Sequence, residues 1–180
     1  MASRPPHSDR LTLTEHSPAA PDDAPASPPL RLEQFLPYRL NVVGAFASRG
    51  LGRIYEAEFG IDIPQWRVIA QLGEFGKLTS RDIGDLAQMH KTKVSRAVTE
   101  LESRGLVSRT ANRQDRRESF IALTPAGQRI FSHIAPLALA FQARWIEGIP
   151  ADELKVFERV LSILNERGRH LAGGYRSDEG

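Results

Sequence analysis

The feature that most constrains the fold is a change in the spacing of apolar residues between positions 80 and 123. Residues 80–88 and 91–104 have the three- and four-residue spacing of helices, and only Met89 and His90 separate them. Residues 106–109 and 119–123 then alternate apolar with polar, which is typical of strands. The segment therefore predicts a helix-turn-helix followed directly by a β-hairpin.

Longer helical patterns flank this segment. Residues 32–59 and 63–72 have helical spacing, with Pro37 and Pro64 in first turns, where a missing N–H costs little. Thr124 and Pro125 predict a helix that runs to about residue 149, and a last amphipathic helix begins near Ala151. The expected fold class is mainly α with a small β-hairpin wing (α+β): a winged helix-turn-helix between helices at both ends.

Capping residues predict where several helices begin and end. Thr79 to Asp82 has the spacing of a capping box, with Asp82 in place of the usual Glu. Gly73 and Gly76 are expected to end the second helix, and Gly105 the fourth.

The terminal helices carry more apolar surface than a small core can cover, which favours burial against a second copy of the chain. The residues concerned are Phe35, Phe46, Phe131, Leu137, Leu139, Phe141, Trp145, Ile146 and Phe157. Residues 1–30 contain seven prolines and almost no apolar spacing, which predicts disorder. The predicted domains are a disordered tail (1–30), an N-terminal dimerisation helix (31–61), a DNA-binding lobe (62–124), C-terminal dimerisation helices (125–172) and a flexible tail (173–180).

Composition excludes several classes of protein. The chain has no cysteine, so it forms no disulfide, cysteine-based zinc site or thiol switch. Its five histidines lack ligand spacing, and we find neither a nucleophile–base arrangement nor a phosphate-cradling loop. We therefore expect no enzyme, no metal and no cofactor. Without a signal pattern or a long apolar window, the expected location is cytoplasmic.

Positive charge is concentrated in the centre of the chain. The whole chain has a formal charge of +2, whereas residues 77–117 contain ten Lys and Arg against five Asp and Glu, which gives +5. Such clustering is typical of proteins that contact nucleic acid. Double-stranded DNA is therefore the expected partner.

The helix over 91–104 separates apolar from polar side chains. Val94, Ala97, Val98 and Leu101 fall on one face, which we expect to be inward. The outward residues near its start are cations and hydroxyls, suited to base edges and phosphates: Lys91, Thr92, Lys93, Ser95, Arg96 and Thr99. Ser80, at the start of the preceding helix, joins this predicted DNA-binding set. A solvated helix face is the plainer alternative.

The hairpin loop is rich in arginine. Arg109, Arg113, Arg116 and Arg117 crowd together, and an arginine at a hairpin tip can enter a narrow minor groove. Asp115 would hold one of the guanidinium groups in place. We expect Arg113, Asp115, Arg116 and Arg117 to be part of a DNA contact; the alternative is a mobile, solvated turn.

Residues 35–171 resemble the MarR (multiple antibiotic resistance regulator) family of transcription factors. One group of carrying residues is Val94-Ser95-Arg96-Ala97-Val98 with Leu101, Glu102, Gly105, Leu106 and Val107. The other is the pattern of Asp, any residue, Arg, five residues and Leu-Thr, met by Asp115, Arg117, Leu123 and Thr124.

The resemblance implies a winged-helix homodimer whose first and last helices interlock. It implies a pseudo-palindromic operator, bound usually as a repressor that a small molecule releases. On that pattern the major groove would meet Thr92, Lys93, Ser95 and Arg96. The minor groove would meet Arg117 with Arg113 or Arg116, and Asp115 would be the buttress. His90 departs from the pattern, because many relatives carry an acidic residue there, and the departure concerns the helix cap.

The family resemblance also implies an effector cavity, lined by the first two helices and the fifth. Arg39, Arg49 and Arg53 could receive a carboxylate or phosphate. Tyr38, Phe46 and Trp66 could stack on an aromatic ring; alternatively, Arg39 pairs with an acid and Trp66 belongs to the core. Residues 35–50 are similar to regulators of aromatic-acid breakdown, some of which sense aryl-CoA thioesters, so the expected effector is an aromatic carboxylate or aryl-CoA.

Two other functions stay open from the sequence. One is an architectural DNA-binding protein without sequence preference. The other is a helical protein–protein adaptor, which would not bind DNA.

Overall fold

The computed structural model of this chain describes residues 29–111 and 118–174. The elements are α1 (Leu36–Phe59), α2 (Ile63–Phe75), β1 (Leu78–Thr79), α3 (Ser80–Ala87), α4 (Lys91–Ser103), β2 (Val107–Ala111), β3 (Ser119–Leu123), α5 (Pro125–Trp145) and α6 (Ala151–Gly174). This order confirms the predicted helices and hairpin. Nearly all of the predicted tails, 1–30 and 173–180, lies outside the described residues.

The chain divides into two compact units, of which the first ends at Arg39 and the second begins with Leu40. The core and the candidate site described below belong to the second unit. The predicted domain boundary at 61/62 lies between α1 and α2, and the one at 124/125 lies directly before α5. Both boundaries stay predictions.

Three predicted helix boundaries were wrong: the start of α1 and the ends of α2 and α5. α1 begins at Leu36 rather than residue 32, because residues 32–34 form a turn. α2 continues through Gly73 to Phe75, and it ends there because a helix does not accept the φ of 79° at Gly76. α5 ends at Trp145 rather than near 149, and residues 146–148 form a turn in which Gly148 has a φ of 81°.

The sheet has three antiparallel strands in the order β1-β3-β2. β2 and β3 pair from Val107 opposite Leu123 to Ala111 opposite Ser119, so the first predicted strand, 106–109, was shifted toward the N-terminus. β1 pairs Leu78 with Ile121 along the other edge of β3. The sequence did not predict β1, because two residues give no alternation.

The caps bear out the predicted helix starts. Thr79 and Asp82 form both bonds of the capping box that begins α3, and Thr124 accepts a hydrogen bond from the Gly127 N–H at 3.2 Å. Asp62 and Gln65 form a second capping box, at the start of α2. Gly105, with a φ of 67°, closes α4.

The core lies between α2, α3, α4 and the sheet. Its fully buried side chains include Val68 and Ile69 of α2, Ile83 of α3 and Ile121 of β3. Tyr55 is its buried residue from α1. This core fixes α4 from one side and leaves the other side of the helix open.

Many apolar side chains of the terminal helices are exposed. α6 has no buried residue among those described, and on it Phe157 is 49% exposed. Leu139 and Trp145 of α5 and Val43 and Phe46 of α1 are exposed as well. Of the predicted apolar surplus, five side chains are exposed on the isolated chain: Phe35, Phe46, Leu139, Trp145 and Phe157. Phe131 instead packs against the core. No helix in the described part is long and apolar enough to cross a membrane.

Candidate nucleic-acid interface

The turn between α3 and α4 depends on close backbone packing. Gln88 adopts a left-handed conformation with φ of 50°, and the Met89 N–H donates to the Gly84 carbonyl at 2.9 Å. A Cβ on Gly84 would lie 3.1 Å from the Met89 oxygen, so a larger residue would crowd the turn. These contacts hold α3 and α4 as a helix-turn-helix.

His90 is the N-cap of α4. Its Nδ1 accepts a hydrogen bond from the Thr92 N–H at 3.3 Å, so the imidazole satisfies one of the free N–H groups of the first turn. The departure from the family pattern therefore leaves α4 capped. Because the cap carries no carboxylate, the positive end of the helix dipole is not offset there, which favours a phosphate.

The two faces of α4 are as predicted. Val94, Val98 and Leu101 are fully buried, and Ala97 is 3% exposed. Each of the predicted outward residues is exposed: Lys91, Thr92, Lys93, Ser95, Arg96 and Thr99. The start of α4 thus presents cations and hydroxyls on one continuous face.

The three cations at the start of α4 have no ion pair within the described residues. The ion pairs found there join Arg81 to Glu118 and Arg109 to Glu102, and the His133 imidazole contacts the Glu58 carboxylate. The positive charge of Lys91, Lys93 and Arg96 is therefore available for a phosphate or base edge.

Ser80 is exposed at the first position of α3, at the opposite end of that helix from the α3–α4 turn. Its neighbour Arg81, which the sequence analysis did not single out, donates to Glu118 at 3.0 Å. This ion pair joins the start of α3 to the residue that precedes β3, at the loop end of the hairpin.

Arg109 differs from what its crowded sequence context suggests. Its Nε lies 2.9 Å from Oε2 of Glu102 on α4, so Arg109 has a carboxylate partner within this chain. The other predicted wing residues lie outside the described residues: Arg113, Asp115, Arg116 and Arg117.

A cleft of about 710 Å³ lies beside α4, the candidate recognition helix, and between α1, the start of α2 and the α3–α4 turn. Arg49, Arg67 and Lys93 line it, and no acidic residue of the described part does. His90 also lines it, so the cleft reaches the N-terminus of α4. A second cleft, of about 420 Å³, shares Arg49 and adds Arg53.

The remaining predicted effector residues lie elsewhere. Phe46 is exposed, and the Arg49 guanidinium lies over its ring at 4.9 Å from the ring centre. Trp66 packs against the core, with its ring centre 5.5 Å from Tyr55 and 6.3 Å from Phe131. Burial raises the pKa of this Tyr55 to about 12. Tyr38 and Arg39 belong to the other unit, where they are exposed in the first turn of α1.

The clefts also differ from the implied lining. α5 contributes no residue to either of these clefts, but it lines another of about 470 Å³ together with Gly50 and Ile54 of α1. The predicted lining by the fifth helix stays a prediction. Arg67, Lys93 and His90 line the larger cleft and were not predicted to do so. Arg67 carries the same signal as Arg49, an arginine on an otherwise apolar helix.

A helix-turn-helix with an exposed cationic second helix and an adjoining three-stranded wing defines the class of winged helix-turn-helix DNA-binding proteins. The MarR family model matches residues 59–118, which include the whole helix-turn-helix. The repressor IacR of Pseudomonas putida is 23% identical over 140 residues, covering 78% of this chain and 83% of its own length.

Solved structures agree with the family match. A MarR family transcriptional regulator from Silicibacter pomeroyi has a TM-score of 0.68 and 28% identity, covering 76% of this chain and 91% of that one. CouR from Rhodococcus jostii RHA1, solved with p-coumaroyl-CoA, has a TM-score of 0.62 and 23% identity, covering 73% and 91%. The matched segment and the shared fold make this chain similar to MarR family transcription regulators. These relatives are named as regulators, and none as an enzyme.

Proposed function

We propose that the chain is a repressor that binds a pseudo-palindromic operator as a homodimer and is released by a small aromatic acid or its CoA thioester. The observation that carries the proposal is the exposed, unpaired cationic face at the start of α4. Major-groove contacts are assigned to Thr92, Lys93, Ser95 and Arg96, with Lys91, Thr99 and Ser80 on the flanking backbone. Minor-groove contacts are assigned to Arg117 together with Arg113 or Arg116, with Asp115 as the buttress.

The dimer is supported by the exposed apolar side chains of the terminal helices. Val156, Phe157 and Val160 line an open apolar groove on α6, and Phe157 is half exposed. Burying such side chains stabilises a complex by about 25 cal/mol per Å² of apolar surface. A two-fold axis would place two copies of α4 about one DNA turn, or ~34 Å, apart.

The effector proposal is supported by the charge and size of the larger cleft. Its volume is within the range of ligand pockets, and Arg49, Arg67 and Lys93 suit a carboxylate or phosphate. Its apolar lining, from Leu40, Ile63 and Met89 among others, suits the hydrocarbon part of such a ligand. p-Coumaroyl-CoA, the molecule bound to CouR, is of this type.

Selection of bound fragments from genomic DNA, followed by a salt titration, tests the DNA part of the proposal. A repressor keeps a large affinity ratio between selected and random duplexes at physiological salt, typically about 10³ or more. Equal affinity for both duplexes would instead indicate an architectural protein. No binding to either would indicate an adaptor.

Calorimetry with p-coumarate and p-coumaroyl-CoA tests the effector part. We expect one of the two compounds to bind. Arg67→Met should weaken that binding, while the ligand-free variant keeps the operator affinity of the wild-type protein. Arg129→Met, a change of the same charge at an exposed position of α5, is the matched control. If neither compound binds the wild-type protein, the effector class is wrong.

A further inference from the structure

The connection from α1 to α2 is braced by a side chain of the recognition helix. α1 ends at Phe59, and Gly60, with a φ of 57°, turns the chain into α2. The Arg104 guanidinium, at the C-cap of α4, donates to the Phe59 carbonyl at 2.6 Å and to the Gly60 carbonyl at 3.0 Å. These carbonyls lie at the end of α1, where the helix has no further N–H group to donate to them.

A second link joins the same place to α4. Arg104 also lies 3.4 Å from Oε1 of Gln65, and the Gln65 amide donates to Glu100 at 2.7 Å. Gln65 is only 6% exposed and forms the capping box of α2 with Asp62. Glu100 and Arg104 are one turn apart on α4. The recognition helix therefore holds both the end of α1 and the start of α2.

The charges match the groups they contact. The C-terminal end of a helix is negative, so a guanidinium placed on its last carbonyls is stabilised there. A planar guanidinium contacts two carbonyls at once, which fixes a direction as well as a distance. The contacts thus resist rotation of α1 about the Gly60 turn relative to α4.

We propose that Arg104 is a positioning residue that sets the angle between α1 and the recognition helix, and so the half-site spacing that the dimer accepts. The inference rests on the proposed homodimer, in which α1 lies at the interface. A change in that angle moves the two copies of α4 apart or together, while each copy keeps its own DNA-facing side chains.

The test compares duplexes whose selected half-sites are separated by the native spacing, by one base pair more and by one base pair fewer. The wild-type protein should discriminate among them. In Arg104→Met we expect this discrimination to fall by about tenfold, as loss of hydrogen bonds to a charged group implies. Affinity for a duplex with a single half-site should not change, because Arg104 is not on the DNA-facing side.

Two further variants separate positioning from general loss of structure. Arg104→Lys keeps the charge and should restore part of the discrimination. Arg109→Met removes an ion pair of the same helix, to Glu102, without touching the Gly60 turn, and should keep the wild-type discrimination. If Arg104→Met does not fold, Glu100→Gln, which weakens only the Gln65 link, should lower the discrimination by a smaller factor.

The possible results have distinct meanings. Wild-type discrimination in Arg104→Met, or equal loss in Arg104→Met and Arg109→Met, would overturn the positioning role and leave the repressor proposal standing. Failure of the wild-type protein to bind any selected duplex would overturn the repressor proposal, and the positioning role with it.

Discussion

Gly127, in the first turn of α5, lies so close to the Leu106 carbonyl oxygen that a Cβ on it would overlap that oxygen. The same oxygen accepts a hydrogen bond from the Thr124 N–H at 3.0 Å, and the Thr124 hydroxyl donates to the Gly105 carbonyl at 2.7 Å. The end of α4, the start of β2 and the start of α5 therefore meet at one backbone contact. The wing is fixed there relative to the recognition helix.

Gly127→Ala should therefore destabilise the protein. Overpacking costs about 1–3 kcal/mol, and here the obstacle is backbone, which cannot rotate away. Urea unfolding followed by circular dichroism measures the change. Gly168→Ala is the control, since nothing lies within 4 Å of its Cβ position, and it should stabilise α6 by up to ~1 kcal/mol. A neutral Gly127→Ala would contradict the contact.

The capping box of α3 gives the protein a predicted acid dependence. Hydrogen bonds from the Thr79 backbone and hydroxyl lower the pKa of Asp82 below its ordinary value. A lowered folded-state pKa contributes stability that is full above the unfolded pKa, about 3.9, and is lost as the pH falls through the folded value.

Asp82→Asn should therefore be less stable than wild type at pH 7, and the difference should shrink as the pH falls below about 4. Urea unfolding at a series of pH values measures it. Asp85→Asn removes the same charge from the same helix without removing a cap, and it should cost less at pH 7. A difference for Asp82→Asn that stays constant down to pH 3 would show that its carboxylate is not specially stabilised.

The cap at His90 leads to a prediction in which a substitution raises the stability of the protein. Imidazole accepts one hydrogen bond here, whereas a carboxylate accepts the same bond and also interacts favourably with the helix dipole. His90→Asp should raise the free energy of unfolding by about 0.5–1 kcal/mol. His90→Ala should lower it. Thermal unfolding of both variants decides the matter, and equal melting temperatures would mean that residue 90 does not cap α4.

Local signals accounted for most of the fold. Several confirmed features each depend on a few neighbouring residues. They are the Thr79 and Thr124 caps, the buried stripe of Val94, Val98 and Leu101, and the hairpin strand at 119–123. β1 was missed because its two residues become a strand only by pairing with Ile121 and Phe120, about 40 residues away. Gly73 was taken as a helix end because the sequence does not show Phe131 packed over it.

The candidate site was predictable on α4 but only in part around the cleft. The exposed face of α4 follows from helical spacing alone. The cleft instead depends on how α1, α2 and the α3–α4 turn meet, so Arg67 and His90 could not be placed there in advance. The Arg104 contacts to Phe59 and Gly60 likewise span 45 and 44 positions and leave no local pattern.

Operator affinity of Arg96→Ala tests the central claim most directly, because Arg96 is exposed on α4 and in no ion pair of the described part. Binding is measured at physiological salt on the selected operator and on its single-base variants, with Arg129→Ala as control. We predict a loss of about 1–3 kcal/mol and relaxed preference at one base step, while Arg129→Ala binds as wild type. Wild-type affinity and unchanged base preference in Arg96→Ala would contradict the assignment of α4 as the recognition helix.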